Sequence, residues 1–228
     1  MRPALPALLS LIAGYVDTAG FLALHGLFTT HVTGNFVTLG AALVLGTSGA
    51  LAKLLALPLF CVVVTLVTLL GKLFVRLRIP GLSAMLALEL VFLIGSAVLS
   101  LQLAPFPDGD APRALMMGGA LIAAMAIQNA AQRIHMSALP PTTIMTGTTT
   151  QIMIDVGELL HGGMSPEARA LARGRLKRMT FAVVTFAAGC ALGAALYAWR
   201  PTLCFIAPAA LAAAALALTE GEARAKPA

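Results

Sequence analysis

Asp17 lies inside the apolar run GYVDTAGF, and a carboxylate there has the most chemistry to offer of any side chain in the sequence. An ionised acid in hydrocarbon is costly, so such residues face a bundle interior and mark proton or cation sites, or else tie helices together. Downstream, Thr29-Thr30-His31-Val32-Thr33-Gly34 reads TTxxTG, and Thr142-Thr143-Ile144-Met145-Thr146-Gly147 repeats the pattern. Threonine hydroxyls satisfy backbone groups freed within a membrane, and glycine permits close backbone approach. If Thr33 and Thr146 stand at helix starts, the free N–H groups there favour an anion or a polar carbonyl. The alternative for both segments is helix packing through small residues. Asn35 follows the first motif and Thr148 the second, so the two are not chemically equivalent.

Each motif follows an apolar helix carrying one polar residue, Asp17 in the first case and Asn129 of AIQNAAQR in the second. The asparagine keeps hydrogen bonding without the charge. His31 titrates near neutrality and could relay a proton with Asp17, or could sit among headgroups. The candidate binding set is therefore Asp17, Thr30, His31, Thr33, Gly34, Asn35, Asn129, Thr143, Thr146 and Gly147. Glu89 of MLALELVFL stands in a second tier, about a third of the way into its helix and within reach of a basic-loop residue such as Arg76 or Arg78. Asp155, Glu158 and His161 have helical spacing, but three such ligands without cysteine make a weak metal site. Ion pairing with the basic run Arg169–Arg178, read as a membrane-surface segment, accounts for them better. Cys61, Cys190 and Cys204 read as small core residues. GxSxG, HExxH and phosphate-loop patterns are missing, so no enzyme activity, cofactor or metal is expected.

The elements that must position these residues follow from composition. The chain has 228 residues, 59% hydrophobic and 11% charged, against about 45–50% and about 25% in ordinary soluble domains. A soluble globule of this size cannot hide that much apolar surface. A soluble enzyme, a disordered chain and a disulfide scaffold are excluded, and the net charge of +6 marks loops rather than a nucleic-acid partner. Spans of about 20 apolar residues are read at Ala7–Leu27, Leu54–Phe74, Leu82–Leu103, Ala114–His135, Met179–Trp199 and Thr202–Leu218. Thr30–Leu45 and Thr143–Leu160 are shorter and weaker. Arg2 and Leu5–Ala13 resemble a signal peptide, but Asp17 interrupts the run, so the segment reads as a retained first helix.

The fold expected is all-α, a polytopic membrane helix bundle of about six spanning helices plus two short TTxxTG segments. One membrane domain covers residues 1–218, with repeat halves at about 7–103 and 114–218 and a polar tail at 219–228. If all eight segments cross, the basic residues divide ten against five. If both TTxxTG segments enter and leave on one face, they divide twelve against three, with both termini cytoplasmic. The second arrangement makes the halves an inverted repeat, an architecture of transporters and channels.

GYVDTAGFLAL followed by HVTGN, and later QNA followed by TGT, resembles the YoaK-type family of small bacterial integral membrane proteins, over about residues 7–218. The resemblance implies a multi-pass inner-membrane protein of about six helices and supplies no substrate. The expectation for function is a small-solute permease or channel with a midplane polar site. A non-transporting scaffold or accessory subunit is the alternative. The partners expected are the bilayer and a small polar solute or ion, with a homo-oligomer left open.

Overall fold

The structure, a computed structural model, describes residues 4–224, so Arg2, Lys226 and the end of the tail lie outside it. Its helices are α1 (Ala4–Ala23), α2 (Asn35–Leu45), α3 (Ala50–Arg76), α4 (Gly81–Leu103), α5 (Pro112–His135), α6 (Met145–His161), α7 (Pro166–Trp199) and α8 (Ile206–Arg224). A single 3-10 turn, Val32–Gly34, precedes α2. The described residues contain no strand, as hydrocarbon requires of a bundle whose backbone groups must be satisfied within each segment. Local sequence sets several ends. Pro112 and Pro166 open α5 and α7, where a missing N–H costs nothing. The Ser165 hydroxyl accepts from Ala168 N as the cap of α7. Gly46, at φ +64°, closes α2 in the left-handed conformation.

Helices α1, α3, α4, α5 and α7 are long and apolar enough to cross a membrane, and α8 is a shorter apolar helix. α2 has 11 residues. That is about 16 Å of helix against a hydrocarbon core of about 30 Å.

Several boundaries differ from the sequence reading. α1 stops at Ala23 because His25 and Gly26 take positive φ values of 54° and 81° and turn the chain back. α7 begins at Pro166, so Arg169–Arg178 forms its first turns rather than a separate surface segment. That run is mostly Ala, Leu, Arg and Lys, all good helix formers, and nothing in it breaks the helix. α8 continues to Arg224, so the first part of the polar tail is helical.

α1 packs along α7 with the two running parallel: Gly189 lies against the carbonyl of Leu11, and Gly193 against that of Tyr15. The GxxxG pair is thus used inside the bundle. α5 packs on α3 and α4, and α8 on α4 and α1. α1 and α5 run antiparallel. Gly118 faces Leu24 and Leu27, Gly20 faces Leu121, and Gln128 Nε2 donates to the Leu9 carbonyl at 3.0 Å.

At one end of the bundle, Lys53 Nζ donates to the His25 carbonyl at 2.7 Å, and Gly49 N and Ala52 N donate to the Asp110 carboxylate at 3.1 and 3.0 Å. So α1 ends and α3 begins at the same end, although α2 lies between them. At the other end, Gln132 and Arg133 of α5 border one pocket with Arg175 and Arg178 of α7. Each short helix returns the chain to the end it left.

Candidate functional site

The first TTxxTG segment is held at depth. Beyond the turn at His25, the chain runs back along α1. Thr29 N and Thr30 N donate to Asp17 Oδ1 at 2.8 and 2.7 Å, and Thr30 Oγ1 donates to the Ala13 carbonyl at 3.2 Å. Ala13 lies about 15 Å along the axis from the end of α1, at about 1.5 Å per residue. His31 Nδ1 is 2.6 Å from Asp17 Oδ2. A proton on Nδ1 serves that bond and leaves Nε2 as the free ring nitrogen. Asn35 closes the loop: its Oδ1 accepts from Phe28 N at 2.9 Å and its Nδ2 donates to the Phe28 carbonyl at 2.7 Å. Gly34 lies under the Phe28 ring, where a Cβ would come within 3.1 Å of it.

The second segment is held differently. Gln128 Nε2 donates to Thr142 Oγ1 at 3.1 Å as well as to the Leu9 carbonyl. Gln128, not Asn129, is therefore the α5 side chain that bonds the second segment, through one threonine hydroxyl and no backbone N–H. The reason is helical phase. Neighbouring residues point about 100° apart, so Gln128 turns toward α1 and its neighbour turns away.

Both segments meet at a cleft of about 650 Å³. Thr30, His31, Thr33, Asn129, Thr143 and Thr146 line it, and Leu57, Phe60 and Val64 of α3 form an apolar wall. Six of the ten first-tier residues thus converge. Asp17 is 5% exposed and stands behind His31. It, Gly34, Asn35 and Gly147 are not among the lining residues; the bonds of Asp17 and Asn35 shape the loop. The sequence reading missed Arg133, which also lines the cleft. It stands four residues after Asn129, which places both on one helix face. A basic residue this near a helix end ordinarily reads as a loop charge. Hydroxyls, an amide, an imidazole and a guanidinium over an apolar wall make a site of the kind that binds small polar molecules.

Glu89 lies elsewhere. It is 1% exposed, and neither carboxylate oxygen has a hydrogen-bond partner. Neither Arg76 nor Arg78 pairs with it: α4 starts at Gly81 and carries Glu89 two turns inside, while Arg76 ends α3 and Arg78 lies in the turn beyond. Glu89→Leu is expected to raise stability by about 1–3 kcal/mol, because an apolar side chain removes an unmet polar burden. A lower Tm for Glu89→Leu in mild detergent would show that the carboxyl is used.

Asp155 takes a bidentate bond from Arg175, at 2.8 Å from Nε and 2.5 Å from Nη2, and a third from Gln151 Nε2 at 2.9 Å. It is committed to α6–α7 packing. Among the described residues, no group of three or more His, Cys, Asp or Glu is placed to hold a metal.

No curated protein and no solved structure matches the chain. One family does, described as a protein of unknown function, DUF1275, and it spans residues 5–218. With nearly the whole bundle and both TTxxTG segments inside that match, the chain belongs to the DUF1275 family of unknown function.

Proposed function

We propose that the protein is a small-solute permease or channel of the bacterial inner membrane, with the cleft between the TTxxTG segments as its binding site. The observation that carries this reading is convergence: two motifs 113 residues apart, and Asn129, border one cleft. Thr30, Thr33, Thr143, Thr146, Asn129 and His31 contact the solute, and Asp17 orients His31 and the first segment. No enzymatic step, cofactor or metal enters the reading.

An inverted repeat gives this site its setting. Exchanging the halves maps α1 on α7 to α5 on α3, α2 on α3 to α6 on α7, and α4 on α5 to α8 on α1, while α4 on α8 maps to itself. The antiparallel course of α1 and α5 supports inversion, and two short helices that return to their own face fit re-entrant segments. The basic residues at the α5–α7 end support a cytoplasmic orientation for that end. The YoaK-type resemblance in GYVDTAGFLAL, HVTGN and QNA agrees with a multi-pass inner-membrane protein. A non-transporting scaffold draws on one observation, that Asp17 and Asn35 are fully bonded within the loop.

Thiol labelling decides between the two. With Cys61, Cys190 and Cys204 replaced, Thr33→Cys and Thr146→Cys should react with a small membrane-impermeant reagent, and Thr148→Cys, at a position 3% exposed, should not. Protection of both Thr33→Cys and Thr146→Cys from either side of the membrane would sink the permease and leave the scaffold.

A further inference from the structure

We propose that the solute is a small oxyanion, admitted from the α5–α7 end through an arginine-lined vestibule in which Arg133 marks the passage into the cleft. The proposal rests on the permease reading and specifies its substrate class.

The cleft lacks the counter-charge a cation needs. No Asp or Glu lines it. The nearby carboxylate, Asp17, is already occupied: Oδ1 accepts from two backbone N–H groups, and Oδ2 faces His31 Nδ1. A bare cation at membrane depth needs an opposing charge or a cage of oxygens directed at it. The groups here are mostly donors or groups able to donate: the Asn129 amide, the threonine hydroxyls and the Arg133 guanidinium.

The approach carries the same sign. Arg133 borders both the cleft and a second pocket of about 240 Å³, which Arg175 and Arg178 also line. Asp155 neutralises Arg175 through its bidentate bond. Arg133 and Arg178 form no ion pair among the described residues. Two uncompensated guanidinium groups therefore face the vestibule, one of them at its inner boundary. A guanidinium offers a planar fork that fits a carboxylate or an inorganic oxyanion. Asn129, one helical turn before Arg133, adds an amide on the same face. A cleft of about 650 Å³ shared with the apolar wall of α3 suits a small organic anion better than a bare halide.

The test reads local charge and needs no knowledge of the solute. In the cysteine-free background, Thr146→Cys protein is reconstituted in phosphatidylcholine vesicles at low ionic strength. It is then labelled with negatively and positively charged methanethiosulfonate reagents of matched size. The anionic-to-cationic rate ratio should exceed that of a free thiol in solution by roughly tenfold, the effect expected of one nearby unit charge at intermediate dielectric. Arg133→Gln should return the ratio to the solution value, and Arg133→Lys should preserve it. A faster cationic reagent, or a ratio that Arg133→Gln leaves unmoved, overturns the anion assignment while the permease reading stands. No reaction with either reagent removes the permease reading and this one together.

Discussion

Asp17→Ala is expected to cost about 3–5 kcal/mol of stability, because the side chain holds the loop to α1. Each buried N–H left without an acceptor costs about 1–3 kcal/mol, and this substitution strands two of them. Thr29, whose residue is 0% exposed, and Thr30 both donate to Asp17 Oδ1. His31 loses its 2.6 Å partner in the same step. Asp17→Asn separates the contributions, because an amide oxygen can still accept both N–H bonds. It should cost about 1–2 kcal/mol, the share of the charge-assisted pairing alone. Unfolding in mild detergent measures both variants, and Thr33→Cys labelling reports whether the loop has loosened locally. Unchanged stability in Asp17→Ala would remove the clamp from the account. If Asp17→Asn lost as much as Asp17→Ala, the imidazole pairing, not N–H acceptance, would be the dominant contribution.

The prominence of Asp17 was legible in the sequence, but its use was not. A carboxylate in an apolar helix satisfies the same physical rule whether it binds an ion or backbone N–H groups. What decides is the reversal at His25 and Gly26, and a left-handed His25 is not signalled by composition. The two TTxxTG segments were legible because a motif that occurs twice stands out, and they do border one cleft. Gln128 does not stand out in the sequence, because residue type points to Asn129 and only helical phase turns Gln128 toward α1. Arg133 does not stand out in the sequence, because a basic residue near a helix end is ordinarily an orientation signal. What brings it to the cleft is its place one turn beyond Asn129.

The fold divides along similar lines. Long apolar spans are forced by hydrocarbon thickness, so α3, α4 and α5 lie close to where hydropathy puts them. Hydropathy does not register a helix that continues past the membrane. It therefore misplaced the start of α7 and the end of α8, where alanine-rich and charged stretches stay helical. The short α2 was ambiguous by composition, and length bears on it: its 11 residues fall short of the hydrocarbon core, and the Lys53–His25 contact puts the start of α3 beside the end of α1. Charge counting in the sequence favours an inverted relation of the two halves, and that relation requires α5 to run against α1. The Gln128 to Leu9 bond and the Gly118 contacts with Leu24 and Leu27 fix that direction.

Gly189→Ala and Gly14→Ala should each destabilise the bundle by about 2–3 kcal/mol, through overpacking with no room to relax. A Cβ on Gly189 would meet the carbonyl oxygen of Leu11, and one on Gly14 the carbonyl oxygen of Phe186. These obstacles are backbone atoms of neighbouring helices, so no rotamer change relieves them. In a bilayer the loss is not offset elsewhere, since helices associate by close packing and lipid is as apolar as the side chains. The two glycines share one crossing. The first substitution already forces the helices apart, so the double variant should cost less than the sum of the singles. Gly40→Ala and Gly95→Ala supply the contrast. Both are helical with nothing within 4 Å of a built Cβ, and each should gain up to about 1 kcal/mol of helix propensity. Equal behaviour of all four in thermal unfolding would mean that α1 and α7 do not approach this closely. The crossing also bears on the site. α1 carries Asp17, and through it the first TTxxTG segment, while α7 carries the basic turns that receive α6. Gly189→Ala should therefore lower Tm and also speed labelling at Thr33→Cys, because the helix that anchors the loop would be displaced from the helix that braces it.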